Sequence, residues 1–353
     1  MEQTHRWIDA QGIVGLLKST QPDRGRKLLK SGSVPHCSNC VTGDKETLCA
    51  VSAIFHCPDL LSNEEIQRVT GSSGWRLDKK TDWQTARSNL ESVLESKAAP
   101  GYERISGQFE FPQCATQLLF CQRANNPNDW HSGQVCFPGG RVDPGEDCLT
   151  AAIRETMEET SVKLTPEEGF VCLGQLGEEF FAYWKNKKKV TISVFVFVSF
   201  RAIFPSLKLN PGELSRGWLQ PLWNFWSYQH SQLVEIEMPP FVSRMMLSGW
   251  VPMKLAPPSE GDYQLKLSGF NLPVANSTVL LWGMTFRFFS HCLEAFISDS
   301  LGQHMGSAAA SKGLYLILIA RNFKITGPQA ETVEFFAKRM VTNAQLVTPH
   351  QKL

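Results

Sequence analysis

The sequence predicts an α/β fold, because short apolar segments typical of strands alternate with longer segments typical of helices. The strand-like segments lie at 116–121, 134–137, 170–175 and 191–204. Helix-forming residues without glycine or proline fill 147–160, and apolar residues at helical spacing follow at 286–296. A chain of 353 residues, 42% of them hydrophobic, can bury a sizeable core as one large domain or two smaller ones.

Charge, cysteine content and the length of apolar runs argue against a nucleic-acid-binding, a secreted or a membrane-spanning protein. With 35 Lys and Arg against 34 Asp and Glu, no global basic field favours nucleic acid, so any anion binding must be local. Ten cysteines, without a secretory apolar segment in residues 1–15, predict free thiols in a reducing compartment. The longest apolar runs, 190–200 and 314–320, are shorter than the ~18 residues of a membrane-spanning helix and indicate buried strands.

Residues 1–107 are predicted to be an N-terminal extension of unknown role, because they lack the motif described below. Helices are expected at 7–17 and 81–96, and a further helix is expected to start at Asn63. The dipeptide Pro100–Gly101 is the predicted linker to the next region.

A cysteine-rich part of this region allows a structural zinc site. Its potential ligands are Cys37, Cys40 and Cys49, with either His56 or Cys57 as the fourth. A second Cys-x-x-Cys pair is missing, so ordinary free cysteines are the alternative.

The stretch 137–162 carries the strongest chemical signal. Its first four residues, Phe137 to Gly140, are predicted to end a strand, and Asp143 to Glu146 to form a turn before a helix. Three carboxylates then project from one helix face, because they follow each other at positions i, i+3 and i+4: Glu155, Glu158 and Glu159. Like charges this close repel each other, so a positive partner is expected there.

A hard divalent cation, Mg²⁺ or Mn²⁺, suits such a stripe of oxygen ligands. Mg²⁺ typically binds through one or two carboxylates together with substrate phosphates. Arg154, next to the stripe, can orient a glutamate. A solvated acidic helix face is the alternative interpretation, but the glycine turn before the helix and the spacing favour the metal site.

These residues resemble the Nudix box, the motif of the Nudix hydrolases. The chain supplies the following box positions in register: Gly140, Glu146, Arg154, Glu155, Glu158, Glu159 and Val162. Thr156 stands where the box has an aliphatic residue, and Ser161 stands where it has its closing glycine. A non-glycine residue in a left-handed helix cap costs on the order of 1 kcal/mol, so Ser161 is predicted to affect local stability more than chemistry.

The resemblance implies an α/β/α sandwich with a mixed sheet, formed by a Nudix domain over 108–300 and followed by a C-terminal extension over 301–353. It also implies hydrolysis of a nucleoside diphosphate linked to another moiety, with Mg²⁺ or Mn²⁺ as cofactor. The roles that it implies are metal binding by Glu155, Glu158 and Glu159, catalysis by Arg154, substrate contacts by Gly139 and Gly140, and Glu155 or Glu213 as the general base.

The segment before the box resembles the upstream motif of the coenzyme A diphosphatase branch. The matching residues are Leu119, Phe120, Arg123, Ala124, His131, Gly133, Gln134 and Val135. From this likeness, Arg123 and Gln134 are expected to contact substrate. The second arginine of that motif is absent, with Asn128 or Asp129 in its place, and the loop is one residue longer.

Later segments extend the same likeness. The segment 210–222 resembles the one that carries a glutamate, here Glu213, before a strand, and 280–285 resembles the start of the closing helix. Four lysines within 185–189 indicate a solvated hairpin turn or, alternatively, a clamp for a remote phosphate such as the 3′-phosphate of coenzyme A. Residues 238–269 are predicted to be an irregular excursion, and 313–320 and 329–340 a tail of undisclosed role.

Three functions follow as hypotheses. The first is hydrolysis of coenzyme A or acyl-coenzyme A to 3′,5′-ADP and 4′-phosphopantetheine; the second is hydrolysis of ADP-ribose, a dinucleotide or an RNA 5′ end. The third, a silent binding protein, would show lost glutamates, and none is lost. The expected partner is a small nucleotide substrate, with no membrane partner. The expected location is the cytoplasm, or a peroxisome-like organelle through Gln351–Lys352–Leu353, which approaches the Ser-Lys-Leu address.

Overall fold

The structure is a computed structural model that describes residues 2–21, 47–70, 83–98, 114–127, 129, 131–176, 180–183, 189–226, 232–238, 264–297 and 323–326. The helices are α1 (Glu2–Ser19), α2 (Asn63–Thr70), α3 (Trp83–Ala98), α4 (Cys148–Thr160), α5 (Trp223–Trp226) and α6 (Gly283–Phe296). The strands are β1 (Thr20–Gln21), β2 (Thr47–His56), β3 (Gln117–Arg123), β4 (Val135–Cys136), β5 (Gly139–Arg141), β6 (Phe170–Leu176), β7 (Phe180–Tyr183), β8 (Lys189–Ser199), β9 (Leu214–Pro221), β10 (Leu233–Glu237), β11 (Gln264–Val274), β12 (Ser277–Trp282) and β13 (Phe323–Thr326).

Within these ranges, nine strands form one mixed sheet in the order β1-β6-β8-β2-β3-β4. Strand β5 lies beside β2, β7 beside β8, and β9 beside β3. Strands β2 and β8 run parallel over the whole length of β2, from Thr47 opposite Val190 to His56 opposite Ser199. The other pairs in this sheet are antiparallel. A smaller antiparallel sheet joins β10, β11, β12 and β13.

Apolar side chains cover both faces of the large sheet. On one face, Ala53 and Phe55 of β2 belong to a core that includes residues of α1, α3 and α6. On the other face, Ala50 and Ile54 belong to a core with Ala151 and Ala152 of α4. Successive side chains of a strand point to opposite faces, so β2 serves both cores. The expected α/β/α sandwich with a mixed sheet is therefore confirmed.

Residues before 107 are part of this architecture. The predicted helices at 7–17, at 81–96 and from Asn63 are confirmed as α1, α3 and α2. Strand β2 was not predicted, and a division after residue 107 would separate it from its neighbours β8, β3 and β5. A division after residue 300 would likewise separate β13 from β11.

The prediction that a zinc site could form in this region is wrong. Cys49 lies near the start of β2, whereas His56 ends the same strand and Cys57 follows it. Seven residues of extended chain span roughly 23 Å, while the ligands of one zinc ion lie ~2.0–2.3 Å from it. Cys37 and Cys40 lie outside the described residues, and the cysteines within them are free thiols, as expected.

Two further expectations need correction. Gly139 and Gly140 do not end a strand, because they begin β5 and pair with β2 at Val51 and Ala50. The last part of the expected irregular excursion, 264–269, belongs to β11. Other predicted features lie outside the described residues: Pro100–Gly101, the lysines at 185–188, the segments 313–320 and 329–340, and Gln351–Leu353. None of the described helices is long and apolar enough to cross a membrane.

A buried carboxylate ties α1 to the start of β3. Asp9, 2% exposed, accepts hydrogen bonds from the backbone N–H groups of Ala115 and Thr116, each at 3.0 Å, and from the Thr116 hydroxyl. An Asp9→Ala variant leaves both N–H groups without this acceptor, at about 1–3 kcal/mol each. We expect the melting temperature to fall by roughly 5–10 °C. Lys18→Ala, at an exposed position of α1, is the control, and equal melting temperatures of the two variants would contradict this role of Asp9.

Candidate active site

Two glycines let the backbone of β5 approach β2 closely. A Cβ atom on Gly139 would lie 2.3 Å from the carbonyl oxygen of Ala50, and the φ angle of Gly139 is 149°. Both features require glycine. The Ser52 N–H donates to the carbonyl of Pro138 at 2.9 Å, which fixes the entry to this turn.

Helix α4 begins at a good N-cap and is fastened to β2 by buried hydroxyl groups. Asp147 accepts a hydrogen bond from the Thr150 N–H at 2.9 Å. Thr156 Oγ1 donates to the Ala152 carbonyl at 2.7 Å and lies 2.9 Å from Ser52 Oγ. Ser52 Oγ itself donates to the same Ala152 carbonyl at 3.2 Å. The hydroxyl of Thr156, where an aliphatic residue was expected, is therefore satisfied by β2.

The last turns of α4 bring two carboxylates to the glycine pair. Glu159, 5% exposed, accepts a hydrogen bond from the Gly139 N–H at 2.9 Å. Burial raises the pKa of Glu159 to about 7. The carboxylate of Glu155 lies where a Cβ atom on Gly140 would come within 2.5 Å of it. Burial also raises the pKa of Glu155.

Arg154 holds the acidic groups of this region in place. Its guanidinium donates to both carboxylate oxygens of Glu146, at 3.0 and 2.9 Å. It also donates to Glu155 at 2.9 Å and to Glu158 at 3.2 Å. The paired hydrogen bonds from Arg154 lower the pKa of Glu146. The side chain of Glu158 remains 55% exposed, so Arg154 orients three glutamates in different environments.

Glu213 contributes a third negative charge to this region. It is exposed, and its charge adds to the effect of burial in raising the pKa of Glu155 and of Glu159. Its backbone carbonyl accepts a hydrogen bond from the Ala124 N–H at 2.8 Å. The end of β3 therefore lies against the segment that carries Glu213.

Arg123, at the end of β3, is paired with an acidic residue. Its Nε and Nη2 atoms donate to Asp129 Oδ2 at 3.1 and 2.8 Å. The second oxygen of Asp129 accepts the His131 N–H at 3.0 Å. Gln134 lies in the same loop, with its Oε1 3.3 Å from His131 Nδ1. The structure thus brings Arg123 and Gln134 together in one loop, and the charge of Arg123 is countered by Asp129.

Residues 112–231 match the family model of the NUDIX domain. This segment of the chain is therefore similar to the NUDIX domain. Nudix hydrolase 3 of Caenorhabditis elegans is 62% identical over 32 residues, which are 9% of this chain and 13% of that protein. A probable nudix hydrolase of Schizosaccharomyces pombe is 32% identical over 124 residues, which are 33% of this chain and 38% of that protein. The chain thus spans well under two thirds of the length of either relative.

Among solved structures, a MutT/nudix family protein from Enterococcus faecalis is similar to this chain with 13% identity and a TM-score of 0.33. The alignment covers 86% of this chain and 81% of that one. A TM-score this low supports no functional conclusion.

The carboxylates of α4 suit a divalent cation shared with a substrate. Within the described ranges, no three His, Cys, Asp or Glu side chains are gathered closely enough to hold an ion by themselves. The structure therefore does not arrange Glu155, Glu158 and Glu159 to hold an ion by themselves. The Glu158 carboxylate contacts Arg154 instead. Glu155 and Glu159 remain at the glycine pair, and one or two carboxylates plus phosphate oxygens are what Mg²⁺ commonly uses.

Sequence reasoning missed two residues that support this carboxylate site. Ser52 on β2 receives α4, and Asn210 contacts its C-terminal end: the Asn210 N–H donates to the Glu159 carbonyl at 2.9 Å. Neither residue belongs to the box. The dipeptide Asn210–Pro211 is a turn signal that could have pointed to a fixed loop, whereas nothing near Ser52 in the sequence indicates its partner.

Proposed function

We propose that this protein hydrolyses the diphosphate linkage of a nucleoside diphosphate joined to another moiety. The observation that supports this most is the placement of Glu155 and Glu159 at the glycine pair, where the charge of Glu213 acts on both. Burial and the neighbouring carboxylates raise the pKa of Glu155 and of Glu159, and a divalent cation relieves the repulsion between these carboxylates. The Nudix family match over 112–231 supports the same reaction class.

Each residue of the candidate site has a separate role in the proposed hydrolysis. Glu155 and Glu159 would hold the cation, which neutralises charge on the diphosphate and makes water a better nucleophile. Gly139 and Gly140 let the backbone lie directly against β2 and against the Glu155 carboxylate, because neither has a side chain. Arg154 orients Glu155 through its 2.9 Å hydrogen bond. Glu155 or Glu213 takes the proton from the attacking water, since both lie in this group.

Coenzyme A or an acyl-coenzyme A is the substrate that we propose first. The loop between β3 and β4 supports it, because Arg123 and Gln134 occupy positions that resemble the coenzyme A diphosphatase motif. The products would be 3′,5′-ADP and 4′-phosphopantetheine or its acyl form.

The pairing of Arg123 with Asp129 favours a second candidate, ADP-ribose. In this loop an acidic residue stands near the position where that motif has another arginine, and it contacts Arg123 at 2.8 Å. The loop therefore offers less positive charge to an additional phosphate, such as the 3′-phosphate that coenzyme A has and ADP-ribose lacks.

A substrate panel separates these candidates. Coenzyme A, its 3′-dephospho form, ADP-ribose, NADH, diadenosine polyphosphates and capped RNA are each incubated with Mg²⁺ or Mn²⁺, and the products are identified. We expect coenzyme A to give the highest kcat/KM. The variant Asp129→Asn, which removes the charge beside Arg123, is expected to favour coenzyme A over its 3′-dephospho form by about 10-fold more than the unaltered protein does. Faster turnover of ADP-ribose by both proteins would move the assignment to ADP-ribose, and no turnover on the panel would contradict the proposed function.

A further inference from the structure

The C-terminal end of α4 docks a second segment of the chain. The last carbonyl groups of a helix have no partner within the helix. Here the Glu159 carbonyl accepts the Asn210 N–H at 2.9 Å, and the Thr160 carbonyl accepts the Lys208 N–H at 3.0 Å. Residues 208–214, called the Glu213 segment below, are therefore attached to the same helical turn that carries Glu159.

Ser161 adds a contact that the glycine of the Nudix box could not make. It has the left-handed conformation of a helix cap, with φ 60° and ψ 16°, and its N–H donates to the Met157 carbonyl. Its hydroxyl donates to the Lys208 carbonyl at 3.1 Å. A glycine would adopt the same backbone conformation with less strain but without a hydroxyl.

Asn210 then forms the turn that fixes the backbone of Glu213. Its side-chain oxygen accepts the Gly212 N–H at 3.1 Å, and its carbonyl accepts the N–H groups of Glu213 at 3.0 Å and Leu214 at 2.8 Å. Leu214 is 1% exposed, so the end of the segment is buried. The Glu213 backbone is thus held on one side by Asn210 and on the other by Ala124.

We propose that Ser161 and Asn210 are positioning residues, which dock the Glu213 segment onto the end of α4 and so hold the Glu213 carboxylate beside Glu155 and Glu159. Ser161 then does more than cap a helix. Its backbone is more strained than that of a glycine would be, but its hydroxyl helps to fix the position of a third carboxylate. This inference rests on the proposed function, since it takes Glu213 to act in hydrolysis.

Variants of Ser161 test the proposal, because a cap role and a positioning role predict opposite results. Ser161→Gly is expected to keep or raise the melting temperature, to speed hydrogen exchange in 208–214, and to lower kcat by about 10-fold with a smaller change in KM. Ser161→Asn is the rescue variant, because asparagine tolerates the left-handed conformation and its amide can donate to the Lys208 carbonyl. It is expected to restore both slow exchange and kcat.

A double variant asks whether Ser161 acts through Glu213. In a Glu213→Gln background, Ser161→Gly should lower kcat by less than 2-fold, because the carboxylate that it positions is already gone. Full additivity of the two losses, or wild-type exchange and kcat in Ser161→Gly alone, would overturn the proposal. Hydrogen exchange is measured without substrate. A protein that shows the expected exchange pattern but hydrolyses nothing on the panel would therefore overturn the proposed function and the positioning role while leaving the docking itself intact.

Discussion

Glu159→Gln is expected to lower turnover by about 10²- to 10³-fold at saturating Mg²⁺, while the protein remains folded. The substitution removes a buried negative charge from the glycine pair but keeps an oxygen that can accept the Gly139 N–H. Turnover of the best substrate on the panel is the measurement. Glu95→Gln, at an exposed position of α3, is the control. Near-normal turnover of Glu159→Gln would remove Glu159 from the metal site.

The same variant should be more stable than the unaltered protein when metal is absent and the pH is high. The pKa of Glu159 rises from its ordinary 4.5 to about 7 in the folded protein, so folding favours the neutral carboxyl group. The contribution of Glu159 to the free energy of unfolding is fully present below about pH 4.5. It is lost as the pH rises through about 7, and the total loss is about 3 kcal/mol. Glutamine is always neutral and avoids this loss. We expect a higher melting temperature for Glu159→Gln at pH 8, and a smaller difference at pH 5.

Glu158→Gln separates the expected loss of turnover from the expected gain of stability. It is expected to lower turnover as well, because Glu158 shares with Glu155 the guanidinium of Arg154 that orients both. It keeps the buried Glu159 carboxylate, so it should not gain the higher melting temperature that is expected of Glu159→Gln at pH 8. A stability profile of Glu158→Gln that matches the one of Glu159→Gln would contradict the special burial of Glu159.

Alanine substitutions at the adjacent glycines should affect different properties: stability at Gly139 and turnover at Gly140. Gly139→Ala places a Cβ atom 2.3 Å from a backbone oxygen, at a φ angle of 149° that only glycine adopts readily. We expect the free energy of unfolding to fall by about 3 kcal/mol or more, and the melting temperature by roughly 10 °C. Thermal unfolding of the metal-free protein is the measurement.

Gly140→Ala is the matched variant. Its Cβ atom would meet the carboxylate of Glu155 at 2.5 Å, and the end of a flexible side chain can move away. We expect nearly unchanged stability but turnover lower by about 10-fold or more, because Glu155 is displaced from the site. A Gly140→Ala protein that unfolds as early as Gly139→Ala would show that this strand cannot adjust, and full activity would exclude Glu155 from the reaction.

The parts of the site that the sequence predicted depend on local signals. Helix α4 has its N-cap, its helix-forming residues and its carboxylate spacing within fifteen neighbouring positions, so its boundaries and its acidic face could be predicted. The arginine that orients Glu155 is also a neighbour in sequence. Such features need no knowledge of the rest of the chain.

The parts that were missed depend on contacts between distant residues. Gly139 and Gly140 look like a turn in the sequence, and only their pairing with β2 makes them a strand. Strand β2 itself lacks a clear alternation of polar and apolar residues, because both of its faces are covered.

The parallel pairing of β2 with β8 has a consequence for how the chain folds. Hydrogen bonds along all of β2 need residues 190–199, about 140 positions later, so at a synthesis rate of ~5–20 residues per second β2 waits roughly 7–30 s on the ribosome for its main neighbour. Its ten residues, TLCAVSAIFH, contain no acidic or basic side chain other than the terminal histidine. During that interval β2 is an apolar segment without its partner, which makes it the place where aggregation or chaperone binding would begin.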